Sequence, residues 1–359
     1  MPINYEPING QTDIATTRTL LHEVIPLTGT IVSGTYGTFP NDDNVKNYSH
    51  GQFQSVYDYP YLSSSANHIF DLSVGYDEDS PRSGSSATHV QNKKKINMYN
   101  QMSQVLLGYT GSANIVRLFE ADLKLDQSGS VMKEVFFVNF SRLLSKDQIK
   151  KGSFSISVAT GSYFGTSPGY ITGGLATYTD SAASDTQGTI NTVGGDYGVL
   201  TGSNGIAGVV FYQAGIAILT ASAFSVSSSA RETPGFYSDG VTTWHTVDEL
   251  LTGSSISGAC DAARQRISNI QFNNSTEINS KVYFCRAPHN KFNYSSNPTY
   301  VSNGAIRVKN NTRSNPPLAY ITTIGLYNSA NELLAVAKLS EPLRKDPTNE
   351  LTLRVRLDY

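Results

Sequence analysis

The last nine residues constrain the chain most. Leu351, Leu353, Val355 and Leu357 alternate strictly with Thr352, Arg354, Arg356 and Asp358. A period of two places the first set on one face of a strand and the second on the other, so a half-buried β-strand is predicted over Leu351–Tyr359. Upstream, the apolar runs Leu318–Tyr327 and Glu332–Leu339 flank Asn328–Asn331, a turn-forming cluster of the kind that joins antiparallel neighbours. The expectation is an antiparallel meander closed by the C-terminal strand.

Further strands are predicted at Ile267–Phe272, Lys281–Cys285 and Ala305–Lys309, enough for a small C-terminal β-sandwich. Pro298, Pro316 and Pro317 fall between these runs, where a missing N–H does least harm. In the middle of the chain Phe154, Ile156 and Val158 alternate, and Glu134–Phe140 is almost continuously apolar. Gly208–Tyr212 and Gly215–Thr220 predict a hairpin about Gln213 and Ala214. Helix is sparse. Ile96, Tyr99, Met102, Val105 and Leu106 have helical spacing ahead of Gly108, which predicts a helix over 93–107. Shorter helical pieces are predicted at 248–251 and 257–265. The fold class expected is mainly β: antiparallel sandwich-like domains with one or two short helices and long loops. Residues 1–261 form the first domain and 262–359 the second.

Charge is scarce. Charged residues are 16% of the 359, against roughly 25% in ordinary soluble domains. From Gly152 through Ala230 there is no Lys or Arg, and Asp180, Asp185 and Asp196 are the only acids. This tract is expected to form long loops laid against a partner, because segments without charge desolvate no unpaired ion. The formal net charge of −2 supplies no broad cationic field for a phosphate backbone, so no nucleic-acid partner is expected. No stretch approaches the roughly 20 apolar residues that span a bilayer, and the N-terminus lacks a secretory leader pattern. No membrane partner is expected, and synthesis in a cytoplasm is. The six Asn-x-Ser/Thr sequons then follow from an Asn- and Ser-rich composition.

Motifs with chemistry are weak. The histidines at 22, 50, 68, 89, 245 and 289 stand singly, with no close pair to begin a metal site. His22-Glu23 starts like a zinc-protease helix, but Pro26 stands where the second histidine belongs. Asp77, Glu78 and Asp79 lack the alternating oxygens and the glycine of an EF-hand loop and read as a solvated turn, as do Asp42 and Asp43. Ser167 has the glycine spacing of a nucleophile elbow, but Pro168 and the glycines beyond offer no following helix. Gly194 and Gly195 lack the lysine of a phosphate loop. Cys260 and Cys285 are too few for a disulfide framework and read as buried, reduced thiols. Neither an enzyme nor a cofactor is expected. A pair of carboxylates for glycoside hydrolysis stays open on sequence grounds.

Tyrosine is abundant, and Tyr57, Tyr59 and Tyr61 form its densest patch. They read three ways: as rings packed on a sheet that Pro60 ends, as an interface, where tyrosine offers a large contact area with a polar tip, or, behind these two, as a sugar-binding surface. Tyr163, Tyr170 and Tyr178 of the low-charge tract join them as candidate interface residues.

Several stretches resemble virion structural proteins of marine T-even-like contractile-tailed phages, the cyanophage type above all. They are Thr19–Tyr36 (TLLHEVIPLTGTIVSGTY), Asn44–His50 (NVKNYSH) and on to Asn67, Ala319–Tyr327 (AYITTIGLY), Glu332–Leu339 (ELLAVAKL) and Leu351–Tyr359. The resemblance covers both ends of the chain. It carries no catalytic or binding residues across. What it implies is a non-enzymatic particle component in several copies, partnered by other virion proteins and assembled in the host cytoplasm. A tail or baseplate position leads, with a neck or capsid-surface decoration protein and a receptor- or polysaccharide-binding tail protein as alternatives.

Overall fold

The computed structural model describes residues 5–28, 37–38, 41–81, 89–110, 115–126, 128–129, 131–159, 162–163, 171–172, 175–184, 188–224, 236–237, 244–245, 255–295, 301–302, 305–306, 313–314 and 318–359. Among the described residues the chain is mainly β, with a large antiparallel sheet, three helices and long loops. It divides into two compact units, one of residues 21–276 and one of residues 1–20 with 277–359. The boundary expected between 261 and 262 falls inside a helix, and the N-terminal residues belong with the C-terminal unit.

The larger unit is built on β2 (Val45–Asn47), β3 (Gln54–Tyr57), β4 (His68–Tyr76), β5 (Glu134–Phe140), β6 (Ser155–Ala159), β7 (Leu175–Thr179), β8 (Gly195–Gly202), β9 (Gly205–Phe211) and β10 (Ile216–Thr220). The first part of β11 (Ile267–Ala287) completes it, and β1 (Ile14–Thr28) pairs with β11. The order is β2-β3-β4-β5-β10-β9-β8-β7-β6-β11, with antiparallel neighbours throughout. Two meanders, β2 to β5 and β6 to β10, therefore meet where β5 lies against β10. The hairpin predicted about Gln213 and Ala214 is the β9–β10 turn, with Phe211 opposite Ile216 and Gly215 at φ +68°.

The apolar run of β5 is explained by burial on both faces. Val135 and Phe137 enter one core with Tyr99, Phe119, Val209, Phe211 and Ile218. Phe136, Val138 and Phe140 enter a second with Phe70, Leu72, Val210, Leu219, Phe224 and Phe272. Phe140 meets Phe272 at a centroid distance of 4.9 Å, although their strands stand six places apart in the sheet. The sheet thus rolls around the second core.

The first core is covered by helix α1 (Val90–Leu106), close to the predicted 93–107 and followed by Gly108 at φ +78°. It seats on β4 at Gly75, where an added Cβ would stand 2.9 Å from both the Lys95 carbonyl oxygen and the Tyr99 nitrogen. The Tyr99 hydroxyl donates to the Met132 carbonyl at 2.8 Å and accepts from the Phe119 N–H at 3.1 Å. Helix α2 is the short turn Arg142–Ser145. Helix α3 (Ile256–Arg266) covers the second core through Ile256, Ala259, Cys260 and Ala263, and the Cys260 thiol donates to the Leu72 carbonyl at 3.3 Å. Cys285 is only half-buried, and both cysteines are free. The piece predicted at 248–251 lies outside the described residues.

The low-charge tract corrects the expectation of long loops. Its described residues supply β6 to β10, five strands of the sheet, with Ala207, Val210, Ala217 and Ile218 fully buried. Most of β9 and all but the end of β10 are buried on both faces, which leaves no place for a cation there, whereas β7 alternates exposed and buried residues. Asp180, one of its few acids, is interior too: it accepts from the N–H groups of Gly152 and Phe154, both at 2.8 Å, and from the Tyr212 hydroxyl at 2.9 Å. Burial raises its carboxyl above the ordinary range, while these three donors pull the other way.

Charge does enter the interior around α3. The fully buried Arg264 guanidinium donates to Asp42 Oδ2 at 2.6 Å and to Asp261 Oδ1 at 3.0 Å, and Gln54 Nε2 donates to the same Asp261 oxygen at 2.6 Å. Burial is the main cause holding the Asp261 carboxyl high. Removing one member strands the others in the interior. Arg264→Met is therefore expected to cost about 3–5 kcal/mol, read as a lowered denaturant midpoint with an unchanged slope; a change inside ~0.5 kcal/mol would count against the network.

Lys95, fully buried on α1, has its ammonium pushed down to about 8 by burial from an ordinary 10.5. Between those values the unfolded chain holds a proton that the folded chain lacks, so this residue adds stability above pH 10.5 that is lost as pH falls through 8. The stability difference between wild type and Lys95→Met should shift toward wild type by about 3 kcal/mol across that window. Denaturant titrations of both proteins at several pH values measure it, and a flat difference would refute it.

Candidate interaction surfaces

The register of the larger unit assembles a surface that no linear motif shows. Lys46 on β2 stands opposite Ser55 on β3, Ser55 opposite Asp71 on β4, and Asp71 opposite Asn139 on β5. Cross-strand partners share a face, so these four make a polar row across four strands. Tyr57 and His68 face each other beside that row, with ring centroids 5.5 Å apart. The face is the one α1 covers at Gly75. Toward the His68 end it is open, with the His68 and Asp71 side chains 33% and 28% exposed.

Hydrogen bonds order this patch. Ser55 Oγ donates to Asp71 Oδ1 at 2.5 Å, and His68 Nε2 lies 2.8 Å from the same oxygen. Serine and imidazole thus both turn to the carboxylate rather than to each other, which orients the surface without activating the serine. Beyond them Tyr48 stacks on His50 at 5.1 Å, both pack on Phe53 at 4.9 Å, and Lys46 Nζ sits 4.8 Å over the Tyr48 ring. Lys94 of α1 donates to the His50 carbonyl at 2.8 Å and ties the strip to the helix. Burial first, then Tyr48 and Asp71, holds the Tyr57 phenol above its ordinary range, so it keeps its proton as a donor.

The candidate tyrosines therefore part company. Tyr57 is half-buried in the strip, its ring 6.5 Å from that of Tyr61, while Tyr59 and Tyr61 are 48% and 37% exposed. Tyr178 lies in the second core, its hydroxyl donating to the Ala223 carbonyl at 3.4 Å, so its ring is part of the interior. Tyr163 belongs to the short strand Ser162–Tyr163, and Tyr170 lies outside the described residues. The contribution of Lys46, Ser55, His68 and Asp71 was missed, because only pairing register brings them together. Alternation in 54–57 and 68–76 was the signal available.

The smaller unit presents a second kind of surface. Its strands are the rest of β11, β12 (Ala319–Tyr327), β13 (Leu333–Lys345) and β14 (Leu351–Asp358). The half-buried alternation predicted for the last strand is present, but β14 pairs with Ser280–Ala287 of β11 rather than closing the β12–β13 meander. The turn at Asn328 is built as its residues suggest: Asn328 Oδ1 accepts from the N–H groups of Ala330 and Glu332, both at 2.9 Å, and Asn331 takes φ +62°. What the unit lacks is a core. Among its described residues the buried apolar side chains are Val282, Ala287, Ala319, Leu326 and Val355. Tyr320, Tyr327, Leu333, Leu334, Val336 and Tyr359 are all between 44% and 68% exposed. Exposed apolar clusters of this kind mark interaction sites.

No family model, no curated protein and no solved structure matches this chain.

The division of the tyrosines is measurable. Tyr59→Ser and Tyr61→Ser should each change stability by less than about 0.5 kcal/mol, whereas Tyr178→Ala should cost about 3–5 kcal/mol through lost burial and a cavity. Urea unfolding of the three variants decides, and equal losses would show that the loop tyrosines are packed.

Proposed function

We propose that this chain is a non-enzymatic structural component of a contractile-tailed phage virion, placed in the tail baseplate, and that it acts through protein–protein interfaces in several copies per particle. The observation that carries the assembly reading is the smaller unit: long strands, five buried apolar side chains among its described residues, and large exposed ones beside them. A unit this poor in core gains its missing burial from neighbours, as obligate interfaces provide by covering on the order of 2,000 Å² or more. Sequence resemblance at both ends of the chain supports the phage particle as the setting. The larger unit, with two cores of its own, serves as the rigid mount.

A second reading, a receptor- or polysaccharide-binding tail protein, is favoured by the aromatic and polar strip on β2 to β4. Rings beside a hydrogen-bonded carboxylate suit a sugar as well as a protein.

One experiment has arms for both readings. Labelling the C-terminus and imaging intact particles should place the chain at the baseplate, and a chain absent from particles would overturn the proposal. A label at the neck or capsid surface would move it within the virion. Binding of host-surface polysaccharide by the purified protein, lost in Tyr57→Ser and Tyr61→Ser variants, would decide for the second reading.

A further inference from the structure

The two edges of the β12–β13 ribbon differ in a way that isolated proteins avoid. Edge strands are ordinarily blunted by charge, proline or a bulge, because a bare edge templates pairing with another chain. The β13 edge has all three: the exposed Lys338, Glu341, Pro342 and Arg344 along the strand, and a register shift where the partner jumps from Leu343 to Lys338. The β12 strand, AYITTIGLY, has none of its own. It carries no charged residue and no proline, and Ile321, Thr322, Thr323 and Ile324 are β-branched in sequence. Among the described residues β12 pairs with β13 alone, and most of its side chains are half-buried or exposed. Left bare, such a strand is an aggregation site; paired, it is an interface.

We infer that β12 pairs antiparallel with β12 of a second copy of this chain, joining two ribbons into one sheet in the order β13-β12-β12-β13. This rests on the assembly reading above and names its first partner. Three features select a second copy. An uncharged strand opposite its own twin brings no like charges together, whereas β13 opposite β13 would. A two-fold axis at Thr323 sets Tyr327 opposite Ala319 and Tyr320 opposite Leu326, apolar side chains against apolar ones. The contact is isologous and closes at two copies, so each edge is used up rather than propagated into a fibre. Tyr320, 59% exposed beside the axis, supplies apolar area that backbone pairing alone lacks.

The test uses the full chain. Light scattering during size-exclusion chromatography should show wild type self-associating. Thr323→Lys and Thr323→Glu each place like charges across the axis at an exposed position. Self-association should weaken at least tenfold in the lysine variant, whose charge adds to that of Lys338 opposite it in the same ribbon, and less in the glutamate variant, which Lys338 partly offsets, with a slightly lower melting temperature only for lysine. An equimolar mixture of the two variants should recover it, because opposite charges then meet at the axis. Wild type that stays monomeric at its highest soluble concentration would overturn the pairing, as would variants that associate like wild type or a mixture that fails to recover. A monomeric chain still found in particles would refute this pairing and leave the assembly reading standing. A chain absent from particles would refute that reading whatever its self-association.

Discussion

The larger unit depends on burial of both faces of its central strands. Once Val135 and Phe137 point one way and Phe136, Val138 and Phe140 the other, each face needs a cover. Helix α1 supplies one, at the cost of a side chain at Gly75. Rolling of the sheet together with α3 supplies the other, bringing Phe140 to Phe272. A continuous apolar strand, a rolled sheet and helices on opposite faces are consequences of one constraint: apolar area kept from water at about 25 cal/mol per Å².

The same constraint governs where charge is allowed. Along the doubly buried parts of β9 and β10 neither face offers water to a cation. Buried charges elsewhere in the unit are held by several partners: Asp180 takes three donors, and Arg264 on α3 bridges Asp42 and Asp261. Such groups cost several kcal/mol to desolvate, so they contribute less to net stability than to fixing which segments meet. Arg264 fixes α3 against the segment leading into β2, and Asp180 fixes the entrance to β6 against the exit from β9.

The smaller unit obeys the opposite rule. Its strands alternate as they should, but among the described residues most of their apolar side chains are only half-buried or exposed. A fold whose local signals are strong and whose core is thin is consistent when its remaining burial comes from other chains. That contrast, one unit with two cores and one with few buried apolar side chains among its described residues, is the physical basis of the assembly reading. The surface strip of Lys46, Ser55, Tyr57, His68 and Asp71 is more polar, as the rims of interfaces are.

The sequence by itself determined the strands with clean periodicity, because alternation and turn chemistry act over a few residues. Leu351–Asp358, the Asn328 turn, the Phe211–Ile216 hairpin, α1 and α3 were all legible in this way. Its composition also determined the class, mainly β with little charge. Only tertiary structure decided which strands are neighbours, since pairing across a sheet leaves no local trace: β14 joined β11, and the two meanders met at β5 and β10. It also decided the meaning of low charge. The Gly152–Ala230 tract looked like partner-facing loop, and its described residues are largely interior sheet; absence of charge marks exclusion of water, and sequence cannot say whether a partner or the chain itself excludes it. Tyr178 went inside and Tyr59 and Tyr61 stayed outside for the same reason, because burial belongs to position in the packed sheet and not to the residue.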